Sequence, residues 1–202
     1  MSKFKSQDLL QELQDDVKKI IEAAEHIRQA EPMKLSYQPG KDRWSISQIL
    51  EHLNAYNRHY LPLVEKAIAF TSKQVPAWFI SGYWGEKFTK SMKPTNVFEI
   101  TKKMKAMKSY CFPNNLNVEQ VFNEFIEGNN RLLKLLETSK NRDINEIRIP
   151  ITLSKLVKLK LGDMFRFLVA HEQRHLMQAR NNLHEMGIAT DKFPVILQAV
   201  PQ

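Results

Sequence analysis

Two imidazoles four positions apart on a helix can share one metal ion, and His171-Glu172-Gln173-Arg174-His175 supplies such a pair. Each helical residue turns by about 100°, so His171 and His175 lie ~40° apart on one face, one turn above the other. Met164, Phe167 and Leu168 share that face on the preceding turns, and Gln178 and Asn182 continue it. The pair is therefore expected to point into an interior. Adjacent buried imidazoles with no shared ligand are costly to satisfy; the alternative is that each hydrogen-bonds its own core partner. His52 lies on a second inward stripe with Ser45, Ile49, Tyr56 and Leu63. Metal sites in helical bundles are built from facing helices, so the expected ligands are His52, His171 and His175. His59, two turns further along and about 10 Å away, is the reserve candidate. His184 should face solvent, and His26 is assigned no role.

Three neutral imidazoles would leave a divalent ion its full charge and at least one open coordination position, as in catalytic rather than structural sites. Such an ion lowers the pKa of bound water or thiol. Zinc or nickel are the first choices, iron or manganese the others. Cys111 lies outside both histidine-bearing segments and is read as structural. Glu172 stands about 80° off the mean histidine direction, within range of an imidazole or of metal-bound water. Gln178 and Tyr56 share the site face and could orient a ligand.

His171 to His175 also matches the zincin pattern HExxH, with Glu172 as general base. Its context differs. A metzincin would continue with Gly and His where this chain has Gln178 and Asn181, and Glu185 is the sole glutamate among the 27 residues after His175. No strand is evident before this helix to bind a peptide.

The elements that must hold these residues are helical. Leu10, Leu13, Val17, Ile20, Ile21, Ala24 and Ile27 make a first stripe over 5–30. A second helix starts at Ser45, which forms a capping box with Gln48, while Trp44 and Ile49 make a hydrophobic staple. It runs toward Phe70, and Pro62 should kink it or end its regular part. A third opens at Asn117, and a fourth spans about Leu161 to Met186 with Gly187 as cap. Residues 147–153 read as extended, and a short basic helix is expected around 96–110. The sequence thus predicts an all-α fold: a single domain over 1–202, a four-helix bundle with a long, partly irregular insertion at 71–116 between the second and third helices.

Composition fits this reading. The 202 residues are 43% hydrophobic with 11 Phe, enough for a core without disulfide help, and one cysteine excludes an intrachain disulfide. A reducing, cytoplasmic location is expected, with neither an apolar leader behind the N-terminus nor a stretch long enough to span a membrane. The net charge is +8, and 71–116 contributes eight Lys against Glu86 and Glu99. Trp78, Tyr83 and Trp84 precede the lysine cluster instead of interleaving with it, unlike a stacking nucleic-acid reader, and are expected to roof the metal pocket. The segment is read as a solvated face, with no specific nucleic-acid partner and no membrane partner.

Asp42-Arg43-Trp44-Ser45 through Glu51-His52-Leu53, followed by Leu161-Gly162-Asp163-Met164 through His175-Leu176-Met177-Gln178, resembles the DinB-like family. Its members are metal-binding four-helix bundles that include bacillithiol- and mycothiol-dependent S-transferases. The matching elements are W-S-x-x-x-x-L-x-H-L and H-E-x-x-H-x-x-Q. The resemblance implies a three-histidine metal site at His52, His171 and His175. It further implies a low-molecular-weight thiol as co-substrate and a small electrophile as substrate; a homodimer is an open option that the resemblance does not decide. Met177 stands where relatives often carry Gly and should crowd the site. The rival expectation is a non-catalytic, metal-containing interaction protein whose basic surface meets an acidic partner.

Overall fold

In a computed structural model of the chain, residues 1–69, 75–93, 106–152 and 154–193 are described, the side chains of 154–156 excepted. Among them four long helices dominate: α1 (Ser6–Arg28), α3 (Ile46–Ala69), α5 (Val118–Ser139) and α6 (Leu161–Glu185). The shorter α2 (Pro32–Leu35) and α4 (Tyr83–Met92) lie between them. Two small antiparallel sheets complete the described elements: β1 (Lys3–Lys5) with β2 (Trp78–Ile80), and β3 (Arg148–Ile151) with β4 (Ser154–Lys160). The fold is all-α.

α1 and α3 each pack against both α5 and α6. The apolar stripes thereby meet in one cluster that includes Val17 and Ile20 of α1, Ile49 and Val64 of α3, Phe122 and Phe125 of α5, and Met164 and Leu168 of α6. Burying a side chain of this size is worth roughly 1.5–3 kcal/mol, so tertiary packing outweighs local preference. α3 illustrates this: it runs through Pro62 to Ala69 without ending there. Leu61, Val64 and Ile68 are buried around the proline, and their packing offsets the lost backbone donor.

The expected helix ends are present. The Ser45 N–H donates to Gln48 Oε1 at 2.9 Å and the Gln48 N–H to Ser45 Oγ at 3.3 Å, closing the capping box. Asn117 Oδ1 accepts from the Gln120 N–H at 3.1 Å, and Gly187 takes φ +74° beyond α6.

The insertion is organised differently from expectation. Its described helix is α4, over Tyr83–Met92; of the helix expected around 96–110, residues 96–105 lie outside the described residues, Ala106 and Met107 have no regular structure, and Lys108–Tyr110 form a single 3-10 turn. β2 is held by β1, a partner over 70 residues away in sequence, which no local pattern could reveal. β4 leads directly into α6, correcting the expectation that no strand precedes that helix; the extended stretch expected at 147–153 corresponds to β3. No helix among the described residues is long and apolar enough to cross a membrane.

Candidate metal centre

The capping box does more than start α3. Ser45 Oγ donates to Asn114 Oδ1 at 2.6 Å, and Gln48 Nε2 donates to the Phe112 carbonyl at 2.7 Å. Asn114 Nδ2 in turn donates to the Ser36 carbonyl at 2.8 Å. These bonds fasten residues 110–114 alongside the first turns of α3. The Tyr110 carbonyl is thereby set 2.9 Å from His52 Nδ1. A carbonyl only accepts, so Nδ1 carries the proton and Nε2 keeps its lone pair.

That lone pair meets α6. His52 Nε2 lies 3.2 Å from His171 Nε2, and the ring centroids of His52, His171 and His175 are 4.7–5.1 Å apart. One nitrogen from each of the three falls within 4.8 Å of the others. His175 Nδ1 is 3.0 Å from Gln178 Oε1, which leaves its Nε2 uncommitted. His52 and His171 are buried and His175 is partly so.

Burial keeps these rings neutral. It lowers His52, against the opposing pull of its bond to the Tyr110 carbonyl. It holds His175 at about 3, and it sets His171 well below the ordinary imidazole range, with repulsion from its two neighbours adding to the effect. Two facing Nε2 atoms at 3.2 Å need a proton or a cation between them. Zinc–imidazole bonds of ~2.0–2.1 Å in a tetrahedron give a nitrogen–nitrogen edge of roughly 3.3–3.4 Å. The donor set therefore fits a divalent ion, and the three-histidine group could hold one. Separate hydrogen bonds to core partners, the alternative raised by the sequence, account for the Nδ1 atoms of His52 and His175 but not for this convergence.

Aromatic rings surround the histidines. Trp44 lies 4.9 Å from His52 and 6.1 Å from His175, Tyr56 lies 4.4 Å from His171, and Phe167 stacks on His171 at 5.8 Å. Burial pushes the Tyr56 hydroxyl up, so it stays protonated and can donate. A cavity of about 720 Å³ opens onto all three histidines. One part of its lining is polar, with Gln38, Lys41, Arg43 and Gln178; another is apolar, with Phe88, Met92, Ile151 and Phe167. Tyr60 also lines it, and its hydroxyl accepts from the Thr152 N–H at 3.1 Å, pinning the end of β3 to α3.

Several expectations require correction. Glu172 does not line the cavity: it is buried toward α3 and α5, where Oε1 accepts from Asn57 Nδ2 at 3.0 Å and Asn129 of α5 stands beside the carboxyl. Burial raises its carboxyl to about 7 against the pull of Asn57 and Asn129. The same helical position can carry a zincin's general base, but here the bond to Asn57 holds the carboxyl away from the cavity where that base would act. Met177 is buried but is not among the cavity residues, so it does not crowd the site. Trp78, Tyr83 and Trp84 do not roof the cavity; all three are exposed, and Trp84 reaches it only by stacking on Phe88 at 5.8 Å. Cys111, read as structural, is exposed and lies on the cavity wall.

The remaining histidines stand apart from the cluster. His59 is exposed with its edge against Tyr60, His26 sets its ring against Phe193 at 4.9 Å, and His184 is exposed as expected. Sequence reasoning missed Tyr110, whose contribution is a backbone carbonyl and so leaves no residue-type signal.

Searches of curated proteins and of solved structures return no match for the chain. The family model of the DinB superfamily matches residues 10–179, a stretch that begins in α1 and includes all three clustered histidines. The match covers most of the chain, and the chain belongs to the DinB superfamily.

Proposed function

We propose that His52, His171 and His175 hold one divalent metal ion and that the site catalyses transfer of a low-molecular-weight thiol to a small electrophile. The observation that carries this reading is the convergence of three neutral imidazoles at the floor of a cavity large enough for two small molecules. The ion would supply Lewis acidity, holding the thiol as thiolate near neutral pH. In the balanced reaction the thiol sulfur forms a bond to the electrophilic carbon and the leaving group departs, while the thiol proton passes to solvent or to the leaving group.

The chain's own residues supply position and environment. Tyr110 and Gln178 fix the tautomers and ring planes of His52 and His175. Tyr56 faces His171 with a hydroxyl that remains protonated and can donate to a leaving group. Phe167, Phe88 and Met92 offer an apolar wall to the electrophile, and Lys41 with Arg43 offers positive charge to an anionic thiol. Arg43 is already tied to Glu185 at 2.6 Å and Asn182 at 3.1 Å, so Lys41 is the freer of the two. A cytoplasmic location suits the reading, since such thiols are kept reduced there.

The test has two stages. Metal content is measured on protein purified without a nickel column, and turnover is then followed with a panel of thiols and electrophiles. Stoichiometric metal with thiol-dependent turnover is expected. Metal without turnover would remove the transferase and leave a metal-binding protein; no metal under any loading condition would remove both.

A further inference from the structure

Eight large apolar side chains are exposed among the described residues, and five of them (Val75, Trp78, Ile80, Tyr83 and Trp84) fall within ten residues of chain. Scattered exposed apolar groups are ordinary, whereas a contiguous group marks a contact surface. The contiguity here comes from the fold. In the β1–β2 ladder Phe4 pairs with Phe79 on the inner face, and Phe79 is fully buried. Lys3 opposite Ile80 and Lys5 opposite Trp78 must therefore face outward together. Ser81 and Gly82 then lead at once into α4, whose first turn presents Tyr83 and Trp84.

Lysines are mixed into this surface. Lys3 Nζ lies 4.3 Å from the Trp78 ring, and Lys87 Nζ lies 5.2 Å from Trp84 and 5.9 Å from Tyr83. Lys160 Nζ reaches the Ile80 carbonyl at 2.6 Å, and exposed Lys90 stands on the next turn of α4. The acidic groups nearby are Asp8, 3.9 Å from Lys5; Glu86, which faces inward to Arg166 and Ser2 as well as Lys90; and Asp143 with exposed Glu146, which flank Asn145 where it hydrogen-bonds the Trp78 carbonyl and the Ile80 N–H. The surface is thus aromatic, partly aliphatic and positively charged.

We propose that this face, formed by β1, β2 and the start of α4, is a docking surface for an anionic phospholipid bilayer. Trp and Tyr side chains favour the headgroup level, where one end is apolar and the other wet. Lysines on flexible stems reach lipid phosphates while their methylenes cover apolar surface. Ile80 suits the acyl boundary and cannot stack on bases as a single-strand reader requires. A second copy of the same face would oppose lysine to lysine. The chain would lie on the membrane, consistent with the absence of a spanning helix among the described residues. The sequence alone pointed to no membrane partner, because Lys3 and Lys5 join Trp78 and Ile80 only once β1 has paired with β2.

The test is co-sedimentation of the full chain with phosphatidylcholine vesicles, with and without one quarter phosphatidylglycerol, at low and high salt. Binding to the anionic vesicles at low salt is expected, with at least a tenfold loss on the neutral vesicles or at high salt. Lys3→Gln with Lys87→Gln should weaken it by roughly five-fold per lysine, and Trp78→Ser with Trp84→Ser should reduce it further. All four side chains are partly or fully exposed, and circular dichroism with a thermal melt checks that both variants fold. No binding to anionic vesicles, equal binding to neutral ones, or wild-type binding by both folded variants would overturn the proposal. So would a single-stranded oligonucleotide that binds with the same residue dependence while vesicles do not.

Discussion

His52 on α3 and His171 on α6 are separated by 119 residues along the chain and by 3.2 Å between their Nε2 atoms. The contact depends on two unrelated local devices. A capping box fixes the first turn of α3, and a hydrogen-bonded segment at 110–114 turns the His52 ring by its Nδ1.

Removing one ligand should empty the site without unfolding the chain. For His175→Ala, metal content by mass spectrometry should fall at least tenfold while the helical circular dichroism is retained, because the core is apolar and independent of the site. A variant that kept stoichiometric metal would exclude His175 as a ligand.

Gln178→Leu should leave the ligands in place but free the His175 ring, whose Nδ1 lies 3.0 Å from Gln178 Oε1. Loss of such a supporting bond typically costs ~10–100-fold in metal affinity. A competition titration against a chromophoric chelator would read this directly, and unchanged affinity would show that the bond does not orient the ring.

Glu172→Gln should change metal affinity by less than about threefold, well below the ~10–100-fold typical of losing a supporting group. The carboxyl is turned toward Asn57 and away from the cavity. The wild type should not cleave a casein-type substrate. Cleavage abolished by this substitution would restore the zincin reading.

Acid should loosen the attachment of α4 to α6. Burial alone would raise the Glu86 carboxyl, but the hydrogen bond from Ser2 and the charges of Arg166 and Lys90 hold it at about 2. A depressed carboxyl contributes stability that is fully present above its unfolded value near 4.5 and is lost as pH falls toward 2. The loss is at most about 3 kcal/mol. Thermal melts between pH 6 and pH 2 should fall more steeply for the wild type than for Glu86→Gln; parallel curves would remove Glu86 from the account.

Gly85 packs against the same network, and a Cβ there would come within 2.1 Å of Asp163 Cγ. Asp163 is fully buried and accepts from Ser81 Oγ at 2.6 Å and from the Gly82 N–H at 2.8 Å, so it cannot yield cheaply. Gly85→Ala should cost about 1–3 kcal/mol in chemical denaturation, and a neutral result would mean that α4 can shift outward.

The long helices were legible in the sequence, because apolar spacing and caps are local signals. Ser45 with Gln48, Asn117 with Gln120, and Gly187 each do in the fold what their types imply. The i, i+4 spacing of His171 and His175 likewise fixed a shared helix face before any packing was known. The parts that required the tertiary structure are those where distant segments meet. β1 finds β2 across more than 70 residues, Tyr110 contributes a carbonyl that any residue type could offer, and Trp78, Tyr83 and Trp84 face solvent instead of the cavity. Glu172 shows the limit within a single helix. Its type and position suited catalysis, but the direction of a side chain 80° off the site face was decided by Asn57 on the neighbouring helix. Local periodicity is set by backbone geometry, which the sequence carries in every turn; which long-range partner satisfies a buried polar group is settled only when the helices pack.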